Sequence, residues 1–566
     1  MSGVVFAPVG VALVAAVATL LASSAPRVQR AVSLLGGVGY VAAVGLLFSR
    51  VALPLGTGTT LVYRVGNWQA PFGIVLVADA LAVFLLAMTA VVALSALAYA
   101  VVHVGAYGQR LSFHPLYHFM LAGVTGSLMT GDVFNLFVWF EVMLMSSYVL
   151  VTFYGGPEHT RAALNYVVLN LVGSAVMLVA IGGLYATTGT LNMADMARRL
   201  ADPGAYGVAV LPTLGLGAVL FSVFALKAGV VPFHFWVPDA YRAAPAPVTA
   251  VLAGVVKKVG VYAVVRLYFT VFAAATVPVS LPGLAGDSPL AFIGPVLFVL
   301  AAASIVFGGV AAVGRDELDE LLAFSSISQV GFIILPLAVA ATVPAVRTLG
   351  VAAALVYAFN HGLAKSLLFL VSGTVGSAVG STRFDDLGGL AGRAPVLSAG
   401  FLVGAFSLVG VPPLSGFFGK LLVFDAAARA FATDAAGAGG AVALALVGAV
   451  LTIAYYTRAW NVAFWGTPSA SVEARIPRRW SWGEPASEGA DAEPAADDEG
   501  TPAPDGGRAS TGRLAVEVAV VASLAVAVVA FGVGFEAVVA AAQAGAEAAV
   551  DTGAYVDAVD PAEVVG

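Results

Sequence analysis

The chain has 566 residues, 60% of them hydrophobic and 10% charged, with a mean hydropathy of +0.96 and a formal net charge of −6 at pH 7. Soluble domains carry about 25% charged residues, so this composition excludes an ordinary soluble protein and places most of the chain in lipid. Cysteine is absent, which excludes disulfides, cysteine-bound metals and redox thiols and leaves the redox compartment unread.

A bilayer core of roughly 30 Å needs about 20 apolar residues per helix. About fourteen such runs are present, near 3–24, 31–50, 73–101, 114–130, 132–154, 163–187, 208–236, 246–272, 288–313, 319–341, 348–379, 395–424, 440–465 and 514–538. The first run lacks a basic n-region and is followed directly by further spans, so it is expected not to be a cleaved signal peptide. Alternating β patterns do not appear, and the expected fold class is an all-α polytopic membrane protein. With both termini outside, Arg27, Arg30, Arg110, Arg161, Arg242, Arg315, Arg383, Arg393, Arg475, Arg478 and Arg479 fall on the cytoplasmic side. Arg50, Arg64, Arg198, Arg199, Arg347 and Arg429 fall opposite, a modest positive-inside bias.

In the fifth run, "GDVFNLFVWFEVMLMSSYVLV", Glu141 lies nine residues past Asp132, about 13.5 Å along a helix and so near mid-membrane. An ionisable group at that depth points to function, against the plain alternative of a structural ion pair with a lysine. The seventh run, "FALKAGVVPFHFW", sets Lys227 before Pro232, whose missing N–H would free the Ala228 carbonyl. The eighth, "VTAVLAGVVKKVGVYAVVRLY", carries Lys257 and Lys258, which point roughly 100° apart on a helix. One is expected to line a path, the other to be structural or to snorkel. The eleventh, "YAFNHGLAKSLLFLVSG", sets His361 and Lys365 one turn apart on one face. The twelfth, "SLVGVPPLSGFFGKLLVF", frees the Leu408 and Val409 carbonyls two turns before Lys420.

These are all five lysines of the sequence, and each sits in a predicted span, whereas nearly all the arginines lie in loops or at span ends. Arginine stays charged, but lysine changes protonation state readily when desolvated. A GC-rich, acidic composition explains arginine in the loops; it does not explain lysine where insertion costs roughly 2.5–3.5 kcal/mol each. Free carbonyls beside a lysine need a wet or protein-lined cavity, and Gly/Pro-broken spans in two halves of a chain point to a transport site. The resulting expectation is a proton relay through Glu141, Lys227, Lys258, His361, Lys365 and Lys420. Asp132, Asp239, Ser325, Ser326, Ser328 and Gln329 are polar candidates for ion contact, though such residues more often cap or bridge helices. No metal site can be drawn. The stretch 483–510 is rich in Pro, Gly, Ala and acids and is expected to be a solvated linker. Nothing is read in the residues after 540.

The segments "FNLFVWFEVMLMSSYVLV", "LKAGVVPFHFWVPDAYRAAPAPVTAVLAGVVKKVGVYAVVR", "LLAFSSISQVGFIIL", "FNHGLAKSLLFLVSG" and "GVPPLSGFFGK" resemble the antiporter-like subunits shared by respiratory complex I, membrane-bound hydrogenases and Mrp-type cation/proton antiporters. Among these branches the chain is most similar to the D-type component of the Mrp antiporters. The resemblance implies fourteen helices, two inverted five-helix repeats and broken helices seven and twelve. With it go helices one to three over 1–112 and repeats over 113–272 and 288–465; composition adds an acidic linker over 471–512, an insert for which the family offers no expected counterpart, then a last span over 513–540 and a tail over 541–566. The resemblance also implies that Glu141 and Lys227 are the paired carboxylate and lysine, that Lys258 is the helix-eight lysine, and that Lys365 and Lys420 serve the second half. Lys257 departs from the pattern, which usually has a small or polar residue there, as do the acids of "VGRDELDELLAFSS".

The function expected on this resemblance is a D-type, proton-translocating subunit of a multisubunit Na⁺/H⁺ antiporter in the plasma membrane. Its expected partners are other subunits of a hetero-oligomeric complex, H⁺, Na⁺ and the lipid bilayer, with no nucleic acid and no cofactor. The alternative is a proton-pumping membrane subunit of a complex I-like oxidoreductase or a hydrogenase, whose redox centres would lie in other chains. A passive scaffold or solute permease would have no use for six ionisable groups at mid-membrane.

Overall fold

The computed structural model describes residues 3–56, 58–105, 108–277, 287–433, 437–476 and 511–559. The expected acidic linker at 483–510 lies outside the described residues. Two helices open the chain, α1 (Gly3–Leu21) and α2 (Pro26–Val51). A two-stranded antiparallel hairpin follows, β1 (Leu61–Arg64) with β2 (Val75–Ala78), pairing Leu61 with Ala78 and Arg64 with Val75. The hairpin shortens the third expected span at its start. Helix α3 (Ala80–His103) begins at Asp79, whose carboxylate accepts from the Ala82 amide at 2.9 Å, the usual service of an N-cap aspartate.

Helices α4 (His114–Met129), α5 (Val133–Val151) and α6 (Pro157–Thr188) come next, then the short α7 (Met193–Ala201). The seventh expected span is broken, as the resemblance implies, into two helices, α8 (Val210–Ala228) and α9 (Trp236–Ala243). The run α10, Ala246–Ala274, passes through two π-helical stretches at Leu252–Val256 and Val265–Val271. Beyond it lie α11 (Pro289–Val313), α12 (Leu318–Thr342) and α13 (Arg347–Val379). The twelfth span is again two helices, α14 (Pro395–Val409) and α15 (Ser415–Phe431), followed by α16 (Ala438–Ala459).

Twelve described helices are long and apolar enough to cross a bilayer. The other two expected spans are the 16-residue α4 and the broken α14–α15 pair. The last span, α17, covers Thr511–Val533 rather than 513–540. Beyond it, the tail is helical over α18 (Phe535–Val550) and α19 (Thr552–Val559), where the sequence pattern carries no expectation. The start of the expected 471–512 linker falls in a short helix, Ala470–Arg475.

The two breaks are built alike. Gly229 (φ +67°) and Gly410 (φ +93°) each end the first half-helix in the left-handed region, where a residue without Cβ is unstrained. At each, the glycine amide and the next amide fold back onto a carbonyl of the last turn. Gly229 and Val230 donate to Ala225, and Gly410 and Val411 donate to Phe406. Prolines at 232, 412 and 413 then prevent the helix from resuming at once.

Sidedness is internally consistent. At one end, Arg242 pairs with Glu317 at 3.3 Å, Arg458 with Asp316 at 2.8 Å, and Arg393 with Glu473 at 3.2 Å. This is the end that the short-loop arginines mark as cytoplasmic. The hairpin, α7, α18 and α19 gather at the other, where Arg64 donates to the Val559 carbonyl at 3.3 Å and Thr270 to that of Ala549 at 2.6 Å. Large apolar side chains such as Leu35, Leu171, Val179 and Val299 are exposed on the outer helices, as a lipid-facing surface requires. The most apolar stretch of α10 is entirely buried and that of α12 is 94% buried. The lysines of α10 and α13 therefore sit on inner helices, whereas α8, which carries Lys227, is 44% buried over its most apolar stretch.

Candidate functional site

All five lysines are buried, together with His361. Lys227 occupies the last turn of α8. Its ammonium donates to the Tyr166 hydroxyl at 3.1 Å and lies 5.4 Å from the Tyr166 ring centre and 5.5 Å from that of Trp236, distances at which a ring face attracts a cation. Tyr166 is fixed in turn by Ser147 at 3.0 Å and by stacking on Trp236. Glu141 interacts electrostatically with Lys227 but does not touch it. Its carboxylate accepts a hydrogen bond from Ser174, so the implied carboxylate–lysine pair is coupled across a gap and is not a contact ion pair.

Helix geometry sends the two adjacent lysines of α10 in different directions, as expected, but neither snorkels. Lys258 donates to the Ala253 carbonyl at 2.6 Å and meets His361 Nδ1 of α13 at 2.6 Å. Lys257 turns toward the α8–α9 break, with its ammonium 5.9 Å from the Tyr241 ring centre. Both lysines follow directly on the π-helical stretch Leu252–Val256, and single π-turns inside helices are frequent at functional sites.

His361 continues the row through Nε2, 3.5 Å from Ser326 of α12. One turn along α13, Lys365 donates to the Leu322 carbonyl at 3.0 Å, to the Ser325 hydroxyl and to Tyr456 at 3.2 Å. Lys420 of α15 donates to the Val409 carbonyl at 3.1 Å, one of the two carbonyls that the prolines are expected to free. Its ammonium also lies 4.9 Å from the Phe332 ring centre. Asn360, beside His361, accepts from Ser407 at 2.5 Å and Ser415 at 2.8 Å, and so ties both halves of the broken span to the histidine helix.

The remaining polar candidates divide. Ser325 and Ser326 touch the row. Gln329 donates to Thr452 at 2.9 Å and Tyr455 at 2.6 Å and accepts from Tyr357, and Tyr357 lies against Phe332 beneath Lys420. Ser328 donates to the Ile305 carbonyl at 3.0 Å. Asp132 caps α5, and Asp239 accepts from Asn165 at 2.9 Å; neither is brought to the lysines. Among the described residues no group of three or more His, Asp or Glu is arranged to hold a metal ion.

Sequence reasoning missed Tyr166, Tyr241, Tyr357, Tyr455 and Tyr456, which join the lysines to one another. It also missed two buried polar clusters away from the row. Arg266 and Asp79 form an ion pair in which both side chains are 1% exposed. His103 and Glu517 meet at 3.0 Å, with Arg513 at 3.1 Å from the same carboxylate.

A family profile described as "NADH:quinone oxidoreductase/Mrp antiporter, TM" matches residues 130–445, the stretch that contains all six candidate residues. The chain is 35% identical over 477 residues to the D-type component of the Na⁺/H⁺ antiporter of Alkalihalophilus pseudofirmus, covering 84% of this chain and 89% of that protein. It is 36% identical over 425 residues to the N-type component of the NADH-quinone oxidoreductase of Desulforudis audaxviator, covering 73% and 78%. In three dimensions it superposes with a TM-score of 0.80 and 28% identity on a chain of the Mrp complex from Dietzia sp., covering 99% of this chain and all of that one. A matched profile over more than half its length, and identity of this order over most of two relatives, place the chain in the NADH:quinone oxidoreductase/Mrp antiporter transmembrane family.

Proposed function

We propose that this chain is the D-type, proton-translocating subunit of a multisubunit Na⁺/H⁺ antiporter of the plasma membrane, acting within a hetero-oligomeric complex. The observation that carries the reading is a row of ionisable groups, the half-buried Glu141 of α5 and the buried Lys227, Lys258, His361, Lys365 and Lys420, whose lysines run from the first broken span to the second. Each lysine ammonium of that row rests on neutral hydroxyls, carbonyls, ring faces or an imidazole. Such partners hold an ammonium without trapping it as a contact carboxylate would, which suits a group that must also release its proton.

The Lys258–His361 contact supports a way for transfer to proceed. Two cations 2.6 Å apart would repel by about 6 kcal/mol at an effective dielectric constant of 20. The pair therefore carries at most one excess proton, which either nitrogen can hold. Lys365, one turn further on, takes the next position, with Ser325 and Tyr456 to steady it. The long-range attraction between Glu141 and Lys227 sets the occupancy of the first lysine.

The second reading, a membrane subunit of a redox-driven pump, is favoured by the 36% identity to an NADH-quinone oxidoreductase component. Everted vesicles carrying the chain with its partner subunits separate the two. Collapse of an imposed pH gradient on adding Na⁺, lost in Lys227→Ala, supports antiport. Gradient formation that instead requires an electron donor and ignores Na⁺ would overturn it.

A further inference from the structure

The proton row leaves one lysine unused. Lys257 is fully buried, at 0% exposure, and its ammonium has no hydrogen-bond partner among the described residues. It reaches the α8–α9 break, where a Cβ added to Gly229 would lie 3.3 Å from Nζ, so the glycine makes the room it occupies. His234, within the same break, is also buried, and its Nδ1 is likewise unpartnered. Two unpartnered nitrogens of this kind at one helix break, close enough to interact electrostatically, are costly in an apolar interior. Buried water commonly resolves such a cost by making about three hydrogen bonds to groups of this sort.

Direction matters as much as burial. Three residues past Lys257, Gly260 lets α10 press onto the backbone of α8, and a Cβ there would meet Lys227 Cβ at 3.2 Å. The two α10 lysines, about 100° apart on the helix, face different neighbours. Lys257 faces the break that begins two residues after Lys227, and Lys258 faces His361 in the second half. Lys257 is also one of the charges that the later groups feel. It interacts electrostatically with His234 of the break, with Lys258 of its own helix, and with His361 and Lys365 of α13. Tyr241 of α9 offers its ring face. Among the described residues no carboxylate faces it.

We propose that Lys257 is a proton-carrying residue of the first half, standing between Lys227 and Lys258, with water in the α8–α9 break and His234 as its immediate proton partners. The proposal rests on the proton-relay reading above and adds a station to it. A proton that arrives on Lys257 repels the one shared by Lys258 and His361 and drives it toward Lys365, because no carboxylate stands near to neutralise the new charge. The step conserves charge: Lys257 takes the excess proton of a protonated water chain or of protonated His234, which is left neutral, as Lys258 yields its proton to neutral His361.

The test uses the assembled complex in everted vesicles, with the initial rate of Na⁺-dependent pH-gradient collapse measured across a pH series. Lys257→Met keeps the length of the side chain, removes a buried charge and is expected to lower the rate at least about tenfold, the lower range for loss of a proton-transfer group. Lys257→Arg is expected to be equally slow, because arginine does not deprotonate. Lys257→His is expected to restore transport with its optimum moved to lower pH, in line with an imidazole reference value of about 6.5. A purely structural lysine would instead be replaced well by arginine and leave the pH profile unmoved. An assembled Lys257→Met complex with unchanged rate and profile would overturn the proposal, as would full activity in Lys257→Arg. Lys227→Ala, measured in parallel, separates the two levels. If it is inactive while Lys257→Met is normal, the added station alone fails; if both are normal, the relay itself fails.

Discussion

Each lysine of the row has its own set of neighbours, and these make different demands on substitution. Lys227→Ala and Glu141→Ala are expected to abolish Na⁺-dependent proton movement while the complex still assembles; co-purification of the partner subunits with transport assays on the same vesicles checks this. Tyr166→Phe keeps the ring under Lys227 but removes its one hydrogen-bond acceptor. It is expected to slow transport by roughly ten- to a hundredfold without abolishing it, a loss of the order of one hydrogen bond to a charged group, about 1.5–3 kcal/mol. The lysines are legible in the sequence because a charge inside an apolar run stands out. The tyrosines are not, since the chain has 17 of them and aromatic residues are ordinary in membrane helices. Lys227 and Tyr166 are 61 positions apart, and no periodicity connects residues on different helices.

At the scale of elements, the breaks place lysine beside free backbone, and glycine decides whether they form. In α15, a Cβ on Gly416 would come 1.6 Å from the Ser407 carbonyl oxygen, so Gly416→Ala must push apart the two halves that Asn360 ties together. We expect this variant to lower the yield of assembled complex sharply. Gly392→Ala, which meets nothing within 4 Å, should leave the yield unchanged; size-exclusion profiles of both variants check the contrast. The prolines make both breaks visible in the sequence, but they suggest a helix that bends, and this one stops. The difference lies in Gly229 and Gly410, whose left-handed conformation ends the helix before the proline is reached. The hairpin at 61–78 and the helices after 534 are not legible. Strands of four residues carry too little alternation to register. The Ala-rich tail has high helix propensity but lacks the length and apolar density that mark a span.

Considered whole, the molecule is clamped at the end away from the arginine-rich loops by the Asp79–Arg266 pair. It joins the start of α3 to the end of α10, with Arg266 lying 4.7 Å from the ring centre of Tyr555 in α19. Removing one partner from a buried pair typically costs about 3–5 kcal/mol, because the other charge is left stranded. Asp79→Ala should therefore lower the thermal stability of the purified complex markedly, while Asp79→Ala combined with Arg266→Met should recover most of it; thermal unfolding of both variants measures the difference. A pair that proved purely local would show no such recovery. This clamp and the row of lysines share α10, so stability and transport meet on one helix. The row can be read in the sequence but the clamp cannot, since Arg266 reads as an ordinary span-end arginine and Asp79 as an ordinary cap.

The central claim is that protons cross through lysines that alternate between charged and neutral. The most direct measurement is Na⁺-dependent proton flux in everted vesicles carrying the assembled complex with Lys227→Arg. This substitution preserves positive charge next to Tyr166 and Trp236 but removes the ability to deprotonate. The account predicts flux at the background level of Lys227→Ala. Flux equal to that of the unsubstituted complex would contradict it and leave Lys227 as a fixed charge that shapes the path without carrying the proton.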